Sequence, residues 1–226
     1  MPHTIPTNCS GIEWRNESTQ KPPKQAVYIQ EAGAAEILKN AHAQTATVWT
    51  GDFHNAKQVL AAMKKRIRRP SEKKKDTPTD IQTAFHAHRM KQAQQSRLLN
   101  MLAVEIQPNF QLYNARAPDI YAALYDVYDT PNDKPFHLPL NQLLGFIGAH
   151  EWHKKGIDIP QLDGKIHVPF GVFSPLRGEY LDLIAQAPLA PNIQTAFDIG
   201  TGSGVIAAIL AKRGIPDIIA TDTNPK

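Results

Sequence analysis

The chain has 226 residues, of which 42% are hydrophobic and 20% are charged, and its formal net charge is +4. This composition excludes an intrinsically disordered chain and predicts a globular protein with a hydrophobic core. The longest apolar run, residues 205–211, is too short for a membrane span, which needs about 20 residues. No secretory signal is recognisable at the N-terminus, so we expect a cytoplasmic protein, and the single cysteine, Cys9, cannot form an internal disulfide.

Residues 1–25 contain four prolines among polar neighbours, which predicts an irregular or extended leader. Residues 26–155 are expected to form an N-terminal α/β domain that recognises a substrate. Its first half has a βαβα rhythm: a short apolar run at Val27, helical spacing from Ala34, a β-rich segment over 45–50 and a helix from about Asn55 to Arg66.

The basic excess lies in the N-terminal part. Residues 151–226 hold seven Lys or Arg and eight Asp or Glu, so the first 150 residues hold the other eighteen and thirteen and carry a net charge of +5. Much of this charge is expected in a basic loop over 64–79, which could contact a protein or RNA or could be solvated surface. The basic residues are Lys64, Lys65, Arg66, Arg68, Arg69, Lys73, Lys74 and Lys75.

The second half of this domain is predicted to be mainly helical. Its expected elements are a helix over 78–99 with an apolar stripe at Ile81, Phe85, Met90 and Leu98, a strand over 102–107, and helices over 119–128 and 138–155. The pair His86 and His88 has the wrong helical spacing for a metal, and the pair His150 and His153 has no evident third ligand. No metal site is therefore predicted.

A glycine-rich turn in the last third of the chain carries the clearest chemical signal. A short apolar strand, 195–199, leads into Gly200–Gly204, an apolar helix over 205–213 follows, and a second strand, 217–221, ends at Asp222. This pattern predicts a parallel, right-handed βαβ unit. Alternating glycines let the main chain approach a ligand because no Cβ atoms stand in the way.

The acids around this turn separate two nucleotide-type ligands. Asp222 is placed to accept hydrogen bonds from a ribose diol, and Asp198 can orient the turn and attract an ammonium group. The dinucleotide pattern G-x-G-x-x-G fails, because Val205 stands at its third glycine position. The dinucleotide interpretation therefore weakens relative to the other candidate ligand, S-adenosylmethionine (SAM). The expected cofactor-binding residues are Asp198, Gly200, Thr201, Gly202, Ser203, Gly204, Asp222 and Thr223.

Phe197 to Gly204 with Asp222 resembles the first two SAM-binding motifs of class I SAM-dependent methyltransferases. The upstream segment 168–180 is similar, in part, to the lead-in that caps the SAM pocket of release-factor glutamine methyltransferases and their relatives. This resemblance adds Phe173 and Arg177 to the expected cofactor-binding residues. It implies a Rossmann-like sheet that begins within 156–226 and N-methylation of a protein amide or a nucleic-acid base.

The same family places an Asn-Pro-Pro-aromatic motif after its fourth strand, and this sequence has none. We therefore expect the N-terminal portion of a methyltransferase, with no catalytic residue of its own and no turnover alone. Two strands and one helix should leave apolar side chains of the helix, Ile206, Ile209 and Leu210, unburied. A non-catalytic RNA- or protein-binding module with a vestigial SAM motif remains the alternative.

Overall fold

The structure, a computed structural model, describes residues 5–6, 11–18, 20–68 and 80–224. The described residues form seven α-helices and ten strands, which confirms the expected α/β class. The chain divides into two compact units, Met1–Gly145 and Phe146–Lys226. The expected boundary after residue 155 therefore differs from the observed division, which falls inside a helix.

The first unit is built on a six-stranded mixed sheet. Its strands are β1 (Ile5–Pro6), β2 (Glu13–Trp14), β3 (Gln25–Ile29), β4 (Thr45–Trp49), β5 (Leu102–Ile106) and β6 (Phe136–Pro139), in the order β1-β2-β6-β5-β4-β3. Neighbours β3, β4 and β5 are parallel, whereas β5 and β6 are antiparallel. Parallel neighbours need crossover connections, and helices supply them.

The helices of this unit confirm the predicted rhythm. They are α1 (Ala34–His42), α2 (Phe53–Arg68), α3 (Ile81–Leu99) and α4 (Tyr121–Tyr128), and α5 (Leu140–Lys155) starts in this unit. In α2, Leu60 and Met63 are buried, as their helical spacing predicts. Asp80 caps α3, because its carboxylate accepts a hydrogen bond from the Thr83 backbone N–H at 2.8 Å.

The structure refines two expectations for the first unit, at the leader and at the basic loop. The leader contains β2, which pairs with β6, and Trp14 of β2 is buried. Burial of its large aromatic ring is favourable, but a strand of two residues is too short to show a sequence pattern. The helix expected to end near Arg66 continues to Arg68, so residues 64–68 belong to α2, and the rest of the expected basic loop, 69–79, lies outside the described residues. Lys and Arg favour helices, and their charge is favourable near a helix C-terminus.

The apolar stripe predicted for α3 forms, but the structure leaves most of it uncovered. Among the described residues of this helix none is buried, and Ile81, Phe85 and Met90 are exposed.

Strand β6 was not predicted, because its four residues are too few to show alternation and it ends at Pro139.

The second unit contains two small sheets and two helices of its own. Its elements are β7 (Ile157–Ile159), β8 (Gly164–Ile166), α6 (Glu179–Gln186), β9 (Thr195–Ile199), α7 (Val205–Lys212) and β10 (Asp217–Thr221). Strands β7 and β8 are antiparallel, and β9 and β10 are parallel in the register Ile218 with Ala196. The parallel βαβ arrangement that the sequence predicts is confirmed.

The expectation of an unburied helix face was wrong for Ile209. Val205 and Ile209 of α7 are buried in a cluster with Leu181 of α6 and with Ile157 and Ile159 of β7. The uncovered apolar surface instead lies on one face of the two-stranded sheet. Alternating side chains place Phe197, Ile199 and Ile219 there, and all three are exposed.

Candidate cofactor-binding loop

The turn from β9 to α7 has a backbone that favours glycine at three positions. Gly200, Gly202 and Gly204 have φ values of 78°, 55° and 76°, which lie in the left-handed region. A Cβ atom at Gly200 or Gly204 would meet no heavy atom within 4 Å, so these main-chain segments border open space. A ligand can therefore lie directly on the backbone at both glycines.

Asp198, in β9 just before the turn, fixes the turn through side-chain hydrogen bonds. Its side chain is buried, with 7% of the residue exposed, although a lone buried carboxylate is costly. Its Oδ2 accepts hydrogen bonds from Thr201 Oγ1 at 2.6 Å and from the Ala207 backbone N–H at 3.1 Å. The carboxylate thus ties β9, the turn and the first turn of α7 together, which agrees with the orienting role predicted for it.

Asp222, which directly follows β10, also forms a hydrogen bond to the turn, but its side chain is exposed. Its Oδ2 accepts a hydrogen bond from the Gly202 N–H at 2.7 Å, and its Oδ1 accepts one from the Asn224 N–H at 2.8 Å. Hydrogen bonds from the backbone N–H groups of Asn224 and Gly202 hold the pKa of this carboxyl below its ordinary value. Each carboxylate oxygen has further lone pairs, so Asp222 can still accept two ligand hydroxyls.

Four of the five backbone N–H groups of the turn are already engaged within the protein. The N–H groups of Gly200 and Thr201 donate to the Thr221 carbonyl at 2.7 and 2.9 Å, and the Gly204 N–H donates to the Thr201 carbonyl at 3.0 Å. With the Gly202 N–H bound to Asp222, four turn donors are occupied. A phosphate site needs such donors free, and two neighbouring carboxylates would repel it.

The remaining predicted residues lie at different distances from this turn. Phe173 reaches it, because its Cβ would be 3.1 Å from a Cβ placed on Gly202. Ser203 belongs to the turn, and Thr223 directly follows Asp222 on the exposed side. Arg177 is exposed in the segment before α6, and no contact among the described residues places its side chain at the turn.

Asn224 is a residue of this site that sequence reasoning missed. Its side-chain Nδ2 donates to the Gly171 carbonyl at 2.9 Å while its backbone N–H donates to Asp222. It therefore links the segment that carries Phe173 to the end of β10. The Asp-x-Asn spacing was the available signal, because short polar side chains often accept from the backbone two residues on.

The first unit contains a second polar cluster that the sequence pattern did not reveal. Tyr28 donates a hydrogen bond to Glu105 Oε2 at 2.6 Å, and its hydroxyl lies 2.9 Å from His137 Nε2. His137 is fully buried, and its Nδ1 has no hydrogen-bond partner among the described residues. Burial lowers the pKa of His137, against the opposing influence of Glu105, so the neutral ring is favoured.

The predicted basic residues are described only in part. Lys64, Lys65, Arg66 and Arg68 lie in the last turns of α2, whereas Arg69, Lys73, Lys74 and Lys75 fall outside the described residues. In the described part of the chain, no three His, Cys, Asp or Glu side chains come together as a metal site. The helices in that part are also too short or too polar to cross a membrane.

Comparisons with known proteins identify no family for this chain, so any functional assignment depends on the geometry of the site. No protein-family model matches this chain, and a search of curated proteins finds no match. The geometry defines an α/β unit whose glycine turn lies between a buried and an exposed carboxylate.

Proposed function

We propose that this chain carries the ribose- and methionine-binding side of a class I SAM-dependent methyltransferase. The observation that carries the proposal is the pairing of a donor-poor glycine turn with the exposed Asp222 carboxylate, bound to the Gly202 N–H at 2.7 Å. SAM has a ribose diol to donate and an ammonium group, but no phosphate. The cytoplasmic placement expected from the sequence is part of this proposal.

The chain's residues fit SAM in three respects. Open space over Gly200 and Gly204 admits a ligand onto the main chain, and the anionic Asp222 offers acceptors for the two ribose hydroxyls. The carboxylates Asp198 and Asp222 give the site a negative potential that attracts a cationic ligand. Bound SAM would supply an electrophilic methyl group, and the proposed acceptor is a nitrogen of a protein amide or of a nucleic-acid base.

Binding of SAM to the whole chain, measured by isothermal titration calorimetry, tests the proposal. We expect Asp222→Ala to weaken binding by tenfold or more, since hydrogen bonds to a charged group contribute roughly 1.5–3 kcal/mol and about 1.4 kcal/mol is tenfold. Asp217→Ala is the matched control, because Asp217 is an exposed acid at the other end of β10. The control should bind SAM as the parent chain does.

A dinucleotide provides the competing ligand. NAD should bind much more weakly than SAM, because the engaged turn donors and the two carboxylates disfavour a pyrophosphate. Equal or tighter binding of NAD, or SAM binding that is indifferent to Asp222→Ala, would contradict the proposal.

The second candidate function is a non-catalytic module that binds RNA or protein. The basic helices of the first unit favour it, since five Lys or Arg and no Asp or Glu lie within α2. This candidate predicts no SAM binding at all, so the same titration separates the two.

A further inference from the structure

Helices α2 and α3 form a surface of one charge sign. They pack against each other in the first unit and together carry eight Lys or Arg and no Asp or Glu. Such a surface attracts polyanions, because cations that are not neutralised by neighbouring carboxylates sum to a positive potential. Among the described residues, no carboxylate forms an ion pair with Lys64, Arg68 or Lys91.

A groove of about 480 Å³ runs between the two helices. Its lining includes Lys64 and Arg68 from α2 and His88, Lys91 and Gln92 from α3, and it contains no acidic side chain. Gln95 also lines the groove, and its side-chain amide donates a hydrogen bond to the Ile67 carbonyl of α2 at 3.4 Å. The groove therefore presents cations and amide donors along one channel, which suits successive phosphates of a strand.

An exposed aromatic ring extends the same helical face. Phe85, His88, Gln92 and Gln95 follow each other at spacings of three and four residues, so they lie in one row along α3. Phe85 stands one turn before His88, is 57% exposed, and has the Arg89 guanidinium 5.8 Å from its ring centre. An exposed ring beside a basic groove is the arrangement on which unpaired bases stack.

The amides of the groove favour RNA over other polyanions. Gln92 is exposed, and its side chain can both donate and accept a hydrogen bond, as recognition of a ribose 2′-hydroxyl requires. An acidic protein would use the cations but has no base to place on Phe85. A duplex keeps its bases stacked internally and would leave Phe85 unused.

We propose that the groove between α2 and α3 binds single-stranded RNA, with phosphates at Lys64, Arg68 and Lys91 and a base stacked on Phe85. Binding of RNA to the groove does not depend on the glycine turn. The further role of that RNA as the methyl acceptor rests on the proposed function.

Fluorescence anisotropy of the full chain with a labelled 15-nucleotide single-stranded RNA of mixed sequence tests the groove. The combined variant Lys64→Gln, Arg68→Gln and Lys91→Gln should bind at least tenfold more weakly. Its salt dependence should fall in slope by about 2, because each phosphate contact to a single strand contributes about 0.7. The control changes three exposed lysines of the same unit, Lys21→Gln, Lys39→Gln and Lys134→Gln, and should retain more than half of the affinity.

Further arms test the ring and the choice of ligand. Phe85→Ala should weaken RNA binding about tenfold, whereas Met90→Ala, an exposed apolar residue on the same helix, should not. Single-stranded DNA of the same sequence, duplex RNA and poly-glutamate should each bind at least several-fold more weakly than the RNA. Equal binding by any of these three ligands would overturn the RNA assignment, and groove and control variants that bind alike would overturn the groove.

The two proposals fail separately. The groove variant should bind SAM with the affinity of the parent chain, because its substitutions lie in the first unit and leave the glycine turn unchanged. RNA binding without SAM binding would refute the proposed function and keep the groove. SAM binding without RNA binding would do the reverse. Circular dichroism melting of each variant checks that its fold is retained.

Discussion

The two units cover their sheets to different extents. In the first unit, β5 and β6 are buried along nearly all their length, and Phe136 has 0% of its surface exposed. In the second unit, the two-stranded sheet of β9 and β10 is covered on the α7 side, while Phe197 on the other side is 65% exposed. Equal side chains in comparable strands are thus in opposite environments, which teaches that the same aromatic residue should contribute much more to stability in the first unit than in the second.

The largest effect expected from this comparison comes from truncating the two phenylalanines. Phe136→Ala should lower the free energy of unfolding by about 3–5 kcal/mol, since it removes a fully buried ring. Phe197→Ala should change it by less than about 0.5 kcal/mol, because that ring is mostly in solvent. Urea denaturation followed by circular dichroism measures both. Similar losses for the two variants would mean that the face of β9 is covered in solution.

The next largest effect is a difference between the two carboxylates of the glycine turn, one of which should matter mainly for stability and the other for SAM binding. Asp198→Ala should destabilise the turn by about 1–3 kcal/mol, because it removes the oxygen that accepts the hydrogen bonds of Thr201 and Ala207. Asp222→Asn should cost less stability, since its side chain is exposed, yet it should weaken SAM binding. Hydrogen exchange measured by mass spectrometry over residues 200–212 reports the first effect. Equal exchange in both variants would contradict the anchoring role of Asp198.

The smallest effect is a pH dependence of the first unit. His137 has a pKa lowered by burial, so the unfolded chain binds more protons than the folded one once the pH falls towards the ordinary histidine value, near 6.5. The free energy of unfolding should therefore keep its full value above that pH and decrease as the pH falls below it. The groups that face the ring are Tyr28, Glu105 and Trp14.

Urea midpoints at pH 7.5 and pH 5.5 measure this dependence. The variant His137→Leu removes the titrating ring and should show a smaller difference between the two midpoints than the parent chain. Equal differences would assign the pH dependence to groups other than His137.

Several elements were predictable because their signals are local. The helical spacing in α1 and α2, the β-rich segment of β4 and the strand–turn–helix pattern around Gly200 each fit within a short window of sequence. Asp198 and Asp222 were predictable as site residues because both adjoin the turn in the βαβ unit. The link from Asn224 to Gly171 joins residues far apart in the chain, and no local pattern encodes it.

The elements that were missed depend on distant partners. Trp14 becomes a core residue only because β2 pairs with β6, more than a hundred residues later. The cluster of Tyr28, Glu105 and His137 combines side chains from three strands. It forms only when β3, β5 and β6 join one sheet, in which Glu105 pairs with His137. Likewise, Phe85 and Lys91 belong to an amphipathic pattern that predicts a helix but does not say which of its faces is covered.

The sequence by itself determined the α/β class, the glycine turn and the basic character of α2, because backbone propensity, side-chain period and charge are properties of neighbouring residues. The tertiary structure decided which apolar faces are buried, that the turn donors are engaged within the protein, and that the cations of α2 meet those of α3 across one groove. These features depend on which segments pack together, and packing sums many weak contacts between residues that the chain keeps far apart.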